Sequence, residues 1–71
     1  DVNMEKIKIQ TEYIKLDQFL KWTGVAESGV HAKDMILAGE VKVNGEVEER
    51  RGKKLYEGDK VEIAGKTFEV E

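Results

Sequence analysis

Arg50, Arg51, Lys53 and Lys54 set four cations around Gly52 in a chain whose formal net charge is −3. No apolar residue interrupts this run, so its side chains have no core to enter and must face water or a partner. The chemistry open to such a cluster is the binding of phosphates, with Gly52 letting the backbone turn closely between two cation pairs. Glu48 and Glu49 precede the run and are placed to neutralise part of it. A charge run is most often only a solvated face. Because the whole chain is acidic, long-range attraction to a polyanion is weak, and binding of one requires a local patch.

Other residues offer less. The chain holds 15 carboxylates, but Glu46, Glu48, Glu62 and Glu69 alternate with Val or Ile, where a solvated sheet face puts them. A nucleophile, a base and an orienting group need distinct residue types. One histidine and no cysteine leave few ways to assemble them, and the chain is read as no enzyme. The same count provides no zinc site and no disulfide framework, and neither metal nor cofactor is expected. His31 is read first as an exposed helix residue and second as a ligand contact beside Ser28 and Gly29, whose helix start is a ready place for a phosphate. Lys15, Lys33 and Lys42 are further cations whose convergence on the basic run depends on the fold.

The elements that must position these residues follow from periodicity. Glu5 to Gln10 alternates around Ile7 and Ile9 as a short strand. Leu16, Phe19 and Leu20 share one helical face, with Asp17 placed as the N-cap and Gly24 as the stop. Ser28 is placed to cap a second helix with Ala32, Met35 and Ile36 inward, ending at Gly39. Val41 and Val43 enter a hairpin whose Asn44-Gly45 is the preferred two-residue turn, and Val47 opens the return. Leu55 and Tyr56 lead to a turn at Glu57-Gly58-Asp59, then to strands carrying Val61 and Ile63 and, beyond Gly65-Lys66, Phe68 and Val70. The chain reads as one α+β domain over residues 5–71, two short helices packed on a small, mostly antiparallel sheet. Met4 is read as a natural start, with residues 1–4 a lead outside the fold. Trp22 is read first as a core or core-edge residue and second as a stack for an unpaired base; Tyr13, Tyr56 and Phe68 are read as packing residues.

The segment Lys15 to Gly45, "KLDQFLKWTGVAESGVHAKDMILAGEVKVNG", resembles the RNA-binding domain first defined in ribosomal small-subunit protein S-four, the alpha-L motif. Lys15-Leu16-Asp17, Ser28 with Ala32, and Gly39-Glu40-Val41-Lys42-Val43-Asn44-Gly45 match the family pattern in order and spacing, and Gly58-Asp59 before Val61 matches a later element. Gly29 stands where the family has arginine. With the run from Arg50 to Lys54, the chain is similar to the small, stand-alone YaaA-like branch. The resemblance implies a non-catalytic module that binds structured RNA, of the ribosomal or transfer class, and is ribosome-associated; a cytoplasmic monomer is the default expectation for so small a chain without an apolar spanning run. The surface it implies comprises Lys15, Asp17, Ser28, Gly29, Lys33, Lys42 and Asn44, to which the residue reading adds His31 and the basic run. Asp17 and Asn44 also have plain structural roles as cap and turn. The acidic residues are expected mostly on the opposite face. DNA is disfavoured, since no helix rich in Arg, Asn or Gln is present to read a major groove. No apolar run approaches the ~20 residues that span a bilayer, and no membrane partner is expected. The rival reading is a protein-interaction module that kept the fold, with an apolar patch around Trp22 and Val25.

Overall fold

A computed structural model describes residues 4–71; residues 1–3 of the expected lead lie outside the described residues. Nine elements follow one another: β1 (Met4–Ile7), β2 (Ile14–Lys15), α1 (Leu16–Trp22), α2 (Gly29–Leu37), β3 (Lys42–Val43), β4 (Glu46–Val47), β5 (Lys54–Leu55), β6 (Lys60–Ile63) and β7 (Lys66–Val70). Five strands form one sheet in the order β1-β7-β6-β3-β4, and β2 pairs with β5 in a separate two-stranded ladder. Only β1 and β7 run parallel; the other pairs are antiparallel.

Alternation builds the sheet. Val61, Ile63, Phe68 and Val70 are buried while Lys60, Glu62 and Lys66 are exposed, so one face meets the helices and the other meets water. Leu16, Phe19 and Leu20 of α1 and Ala32 and Ile36 of α2 complete the same core. Phe19 meets Phe68 edge to face, with centroids 6.1 Å apart, which locks α1 onto the sheet. Leu55 joins this core from β5 with no exposed surface. It is the apolar anchor at the end of the basic run.

The turns obey backbone chemistry. Asn44 and Gly45 have φ of 53° and 90°, both in the left-handed region that a tight two-residue hairpin needs. Ala64 and Gly65, with φ of 55° and 78°, make the same turn between β6 and β7; an alanine there gives no sequence signal of left-handed backbone. Helix α2 ends as expected at Gly39, where Gly39 N donates to Ile36 O and Glu40 N to Met35 O, a Schellman closure.

Several expectations change, and Met4, expected in a lead outside the fold, opens β1 opposite Thr67. The first strand stops at Ile7 rather than Gln10, because its partner β7 ends at Val70, opposite Ile7. Asp17 is not the cap of α1: Lys15 holds that position with no side-chain cap, and Asp17 lies within the first turn. Trp22 is not in the core, being 65% exposed, and Tyr56 is also exposed; both project from edges that the core does not reach.

Candidate nucleic-acid interface

The basic run is tied to α1 through its backbone. Lys53 N donates to Arg50 O at 3.1 Å and closes a turn; Leu16 N donates to Lys53 O at 2.8 Å, and Asp17 N to Arg51 O at 3.1 Å. The first amides of a helix have no partner within it, and here carbonyls of the cationic turn satisfy two of them. That is why α1 starts without a capping side chain; the Asp17 Oδ1 accepts instead from Gln18 N at 2.7 Å. The arrangement leaves the four cationic side chains outside. Arg50, Arg51 and Lys54 are exposed and Lys53 half-buried. Gly52 takes no positive φ, and a Cβ there would meet open space, so the turn does not require glycine.

Lys15 joins this group. In the β2–β5 ladder it stands directly opposite Lys54, as Ile14 stands opposite Leu55. Like charges directly opposed on neighbouring strands repel. Lys54 Nζ lies 4.8 Å from the centre of the Tyr13 ring, a cation–π contact, and Tyr13 and Tyr56 sit tilted with centroids 5.8 Å apart. Arg50, Gly52, Lys53, Lys54 and Tyr56 line a shallow depression of about 460 Å³. The pairing of Tyr13 with Lys54 was invisible in sequence because it depends on the two-residue ladder.

Glu48 tempers one cation. Its Oε2 accepts from Arg50 Nε at 3.0 Å and from Arg50 N at 3.1 Å. The carboxylate side chain is 14% exposed and the guanidinium 76%. The side-chain hydrogen bond from Arg50 is the main cause holding the Glu48 carboxyl below its ordinary value, against the opposing effect of burial. The same bond holds the Arg50 proton more tightly than usual. Acids and bases are therefore not fully segregated, as Glu62 opposite Lys42 on the sheet also demonstrates.

The hairpin residue Asn44 is engaged in structure. Its Nδ2 donates to Asp59 Oδ1 at 3.2 Å, and its Oδ1 accepts from Lys60 N at 3.0 Å. Asp59 Oδ2 in turn accepts from Tyr56 N at 2.8 Å. This clamp gives the Gly58-Asp59 pair its physical purpose: Gly58, at φ 94°, makes the turn and Asp59 fastens the hairpin to it. Asn44 also lines a groove shared with Arg50 and Lys53, and with Glu46 and Glu48, so the hairpin and the basic run meet along one edge.

The start of α2 is a separate group. Ser28 Oγ accepts from His31 N at 3.1 Å as the expected N-cap, and His31 Nδ1 accepts from Glu27 N at 3.1 Å. The serine and histidine thus secure the first turn reciprocally, much as a capping box does. Gly29 is the first helical residue, and a Cβ there would meet open space. Lys33 is exposed one turn later, and Lys42 is exposed on β3 beside Val47 and Glu62. Hydrogen bonds and strand pairing therefore gather Lys15 with the run 50–54; Lys33 and Lys42 stand on other elements. Among the described residues, no group of three or more His, Asp or Glu is arranged to hold a metal ion, and no helix is long and apolar enough to cross a membrane.

Comparison with known proteins supplies the context. A family model described as the S4 domain matches residues 7–71. The probable ribosome maturation protein RlbA of Bacillus subtilis (strain 168) is 54% identical over 59 residues, 83% of this chain and 83% of the relative. The putative RNA-binding protein YbcJ of Escherichia coli (strain K12) is 41% identical over 58 residues, 82% of this chain and 83% of its own. The solution structure of YbcJ, described as revealing an alpha-L motif involved in RNA-binding, matches with a TM-score of 0.66 and 34% identity, covering 99% of this chain and 87% of that one.

Proposed function

The chain belongs to the S4 domain family, and on that premise we propose that it is a non-catalytic protein that binds structured RNA, of the ribosomal or transfer class, through the face built by Lys15, Arg50, Arg51, Lys53 and Lys54. The observation that carries this reading is the Lys15–Lys54 pair. Two exposed lysines at paired positions of one ladder repel each other, and a phosphate bound between them relieves that repulsion. Lys33 on α2 and Lys42 on β3, which stand on other elements, are secondary contacts of this reading rather than part of that face. The names borne by the Bacillus and Escherichia relatives agree with this reading, and a cytoplasmic monomer associated with ribosomal RNA is its natural setting.

An A-form duplex suits such a face. Its deep, narrow major groove excludes side chains, so phosphates, 2′-hydroxyls and irregular loops carry recognition. The test is fluorescence anisotropy of a structured ribosomal RNA fragment against duplex DNA of equal length over a salt series. Tighter binding of the RNA, weakening steeply with salt, is expected. Equal binding of both, or none, returns the chain to the rival reading of a protein-interaction module, which the exposure of Trp22 favours.

A further inference from the structure

Trp22 closes α1 with 65% of its surface in water, an unusual placement for the largest apolar side chain in so small a domain. It borders a groove of about 370 Å³ between α1 and the segment that leads into β2, with walls from Ile9, Tyr13 and Ile14 and polar groups from Lys15 and Gln18. Gln18 and Trp22 stand one turn apart on one side of α1, and Lys15 precedes them at the end of β2; all three line the groove. The Lys15 end of the groove is where Lys54 stands opposite and rests on the Tyr13 ring. An apolar trough thus ends at Tyr13 and Lys15, the two residues that Lys54 meets from the basic run.

We infer that this groove takes one unpaired nucleobase of the bound RNA, stacked on Trp22, with the adjoining phosphate held by Lys15 and Lys54. The inference rests on the RNA-binding reading and adds a specific occupant to it. Size and chemistry agree: the volume falls at the lower end of the ~300–1,000 Å³ of small-ligand sites, too small for a duplex. A base offers the flat apolar face that the trough accepts, and its phosphate complements the two ammonium groups. Gln18 supplies both a donor and an acceptor for a base edge. Stacking platforms gather several aromatics beside cations, and the fold brings Tyr13 into the groove that Trp22 lines and beside Tyr56, although the sequence scatters them. An RNA with a bulged or splayed base is therefore the preferred ligand over a perfect duplex.

Trp22 is the only tryptophan, so its emission reports directly on stacking. The probes are a hairpin RNA with a single bulged adenosine, the same hairpin fully paired, and the bulged hairpin with an abasic site in place of the adenosine. The bulged hairpin is expected to quench Trp22 and to bind roughly tenfold tighter than the other two. Trp22→Ala removes that advantage without changing affinity for the paired hairpin, and Trp22→Phe keeps most of it. Equal affinity for all three RNAs with unchanged Trp22 emission overturns the inference while leaving salt-dependent RNA binding intact. Failure to bind any of them at low salt overturns the RNA reading as well. A concentration-dependent dimer in sedimentation, abolished by Trp22→Ala, assigns the groove to a second copy of the chain and overturns the inference too.

Discussion

The two helices begin in opposite ways. The start of α2 is secured within four residues, Ser28 Oγ accepting from His31 N and His31 Nδ1 from Glu27 N. The start of α1 is secured from the far side of the chain, by carbonyls of Lys53 and Arg51. A local cap fixes a helix and nothing else. A remote cap also fixes where the capping segment lies, and at α1 that segment is the cationic turn. Its backbone serves the fold while its side chains turn outward, Arg50 paired with Glu48 and Lys54 resting on Tyr13, so the acidic chain concentrates positive charge at a segment whose backbone the fold already holds.

Breaking the remote arrangement carries the largest effect. Leu55 is fully buried and pairs with Ile14 next to the turn; Leu55→Ala is expected to lower stability by ~2–5 kcal/mol, to speed hydrogen exchange at the Leu16 and Asp17 amides, and to weaken RNA binding with it. Urea denaturation and exchange measured on one sample check all three. The local arrangement is cheaper to break: Ser28→Ala removes one cap and is expected to cost ~1 kcal/mol, while the salt dependence of RNA binding stays as in the wild type.

The contrast is sharpened by adding charge where α2 lacks it. Gly29→Arg places a side chain into open space at the position where the family carries arginine. If both helix starts face the same RNA, the log–log salt dependence steepens by ~0.7 to 0.9, one further phosphate contact; an unchanged slope separates the two starts. The smallest effect concerns Glu48. Its folded pKa lies below the ordinary 4.5, chiefly through the hydrogen bond from Arg50. The stabilisation is thus present above pH 4.5 and lost as pH falls through the folded value. Solvent around Arg50 keeps it small. Urea midpoints of wild type and Glu48→Gln are expected to differ slightly near neutrality and to converge in acid.

What was legible in the sequence follows the same division. Ser28 and Gly39 announce themselves because their partners lie within a few residues, Asn44-Gly45 does so as a hairpin turn although the Asn44 side chain bonds Asp59 and Lys60, and the alternation of Val61, Ile63, Phe68 and Val70 marks the buried sheet face directly. Asp17 has the residue type of a cap, but long-range carbonyls of Lys53 and Arg51 hold the helix start instead. The sequence shows no cluster of aromatics around Trp22 and so points to the core or its edge, whereas the orientation of α1 leaves the side chain exposed. The cations of the basic run were plain in the sequence; their meeting with Lys15 and Tyr13 was not, since two residues on each strand are too short to leave a pattern. Ala64 gave no sign of its left-handed backbone, being held there by the strands on either side.

The central claim is that the turn's backbone holds α1 while its side chains bind RNA. It is tested most directly on a variant with Arg50, Arg51, Lys53 and Lys54 all changed to glutamine, measured for both urea midpoint and RNA binding across salt. The expected result is a nearly unchanged midpoint with the log–log salt dependence flattened by about 3, at ~0.7 to 0.9 per lost contact. A collapsed midpoint, or a salt dependence that survives intact, would contradict it.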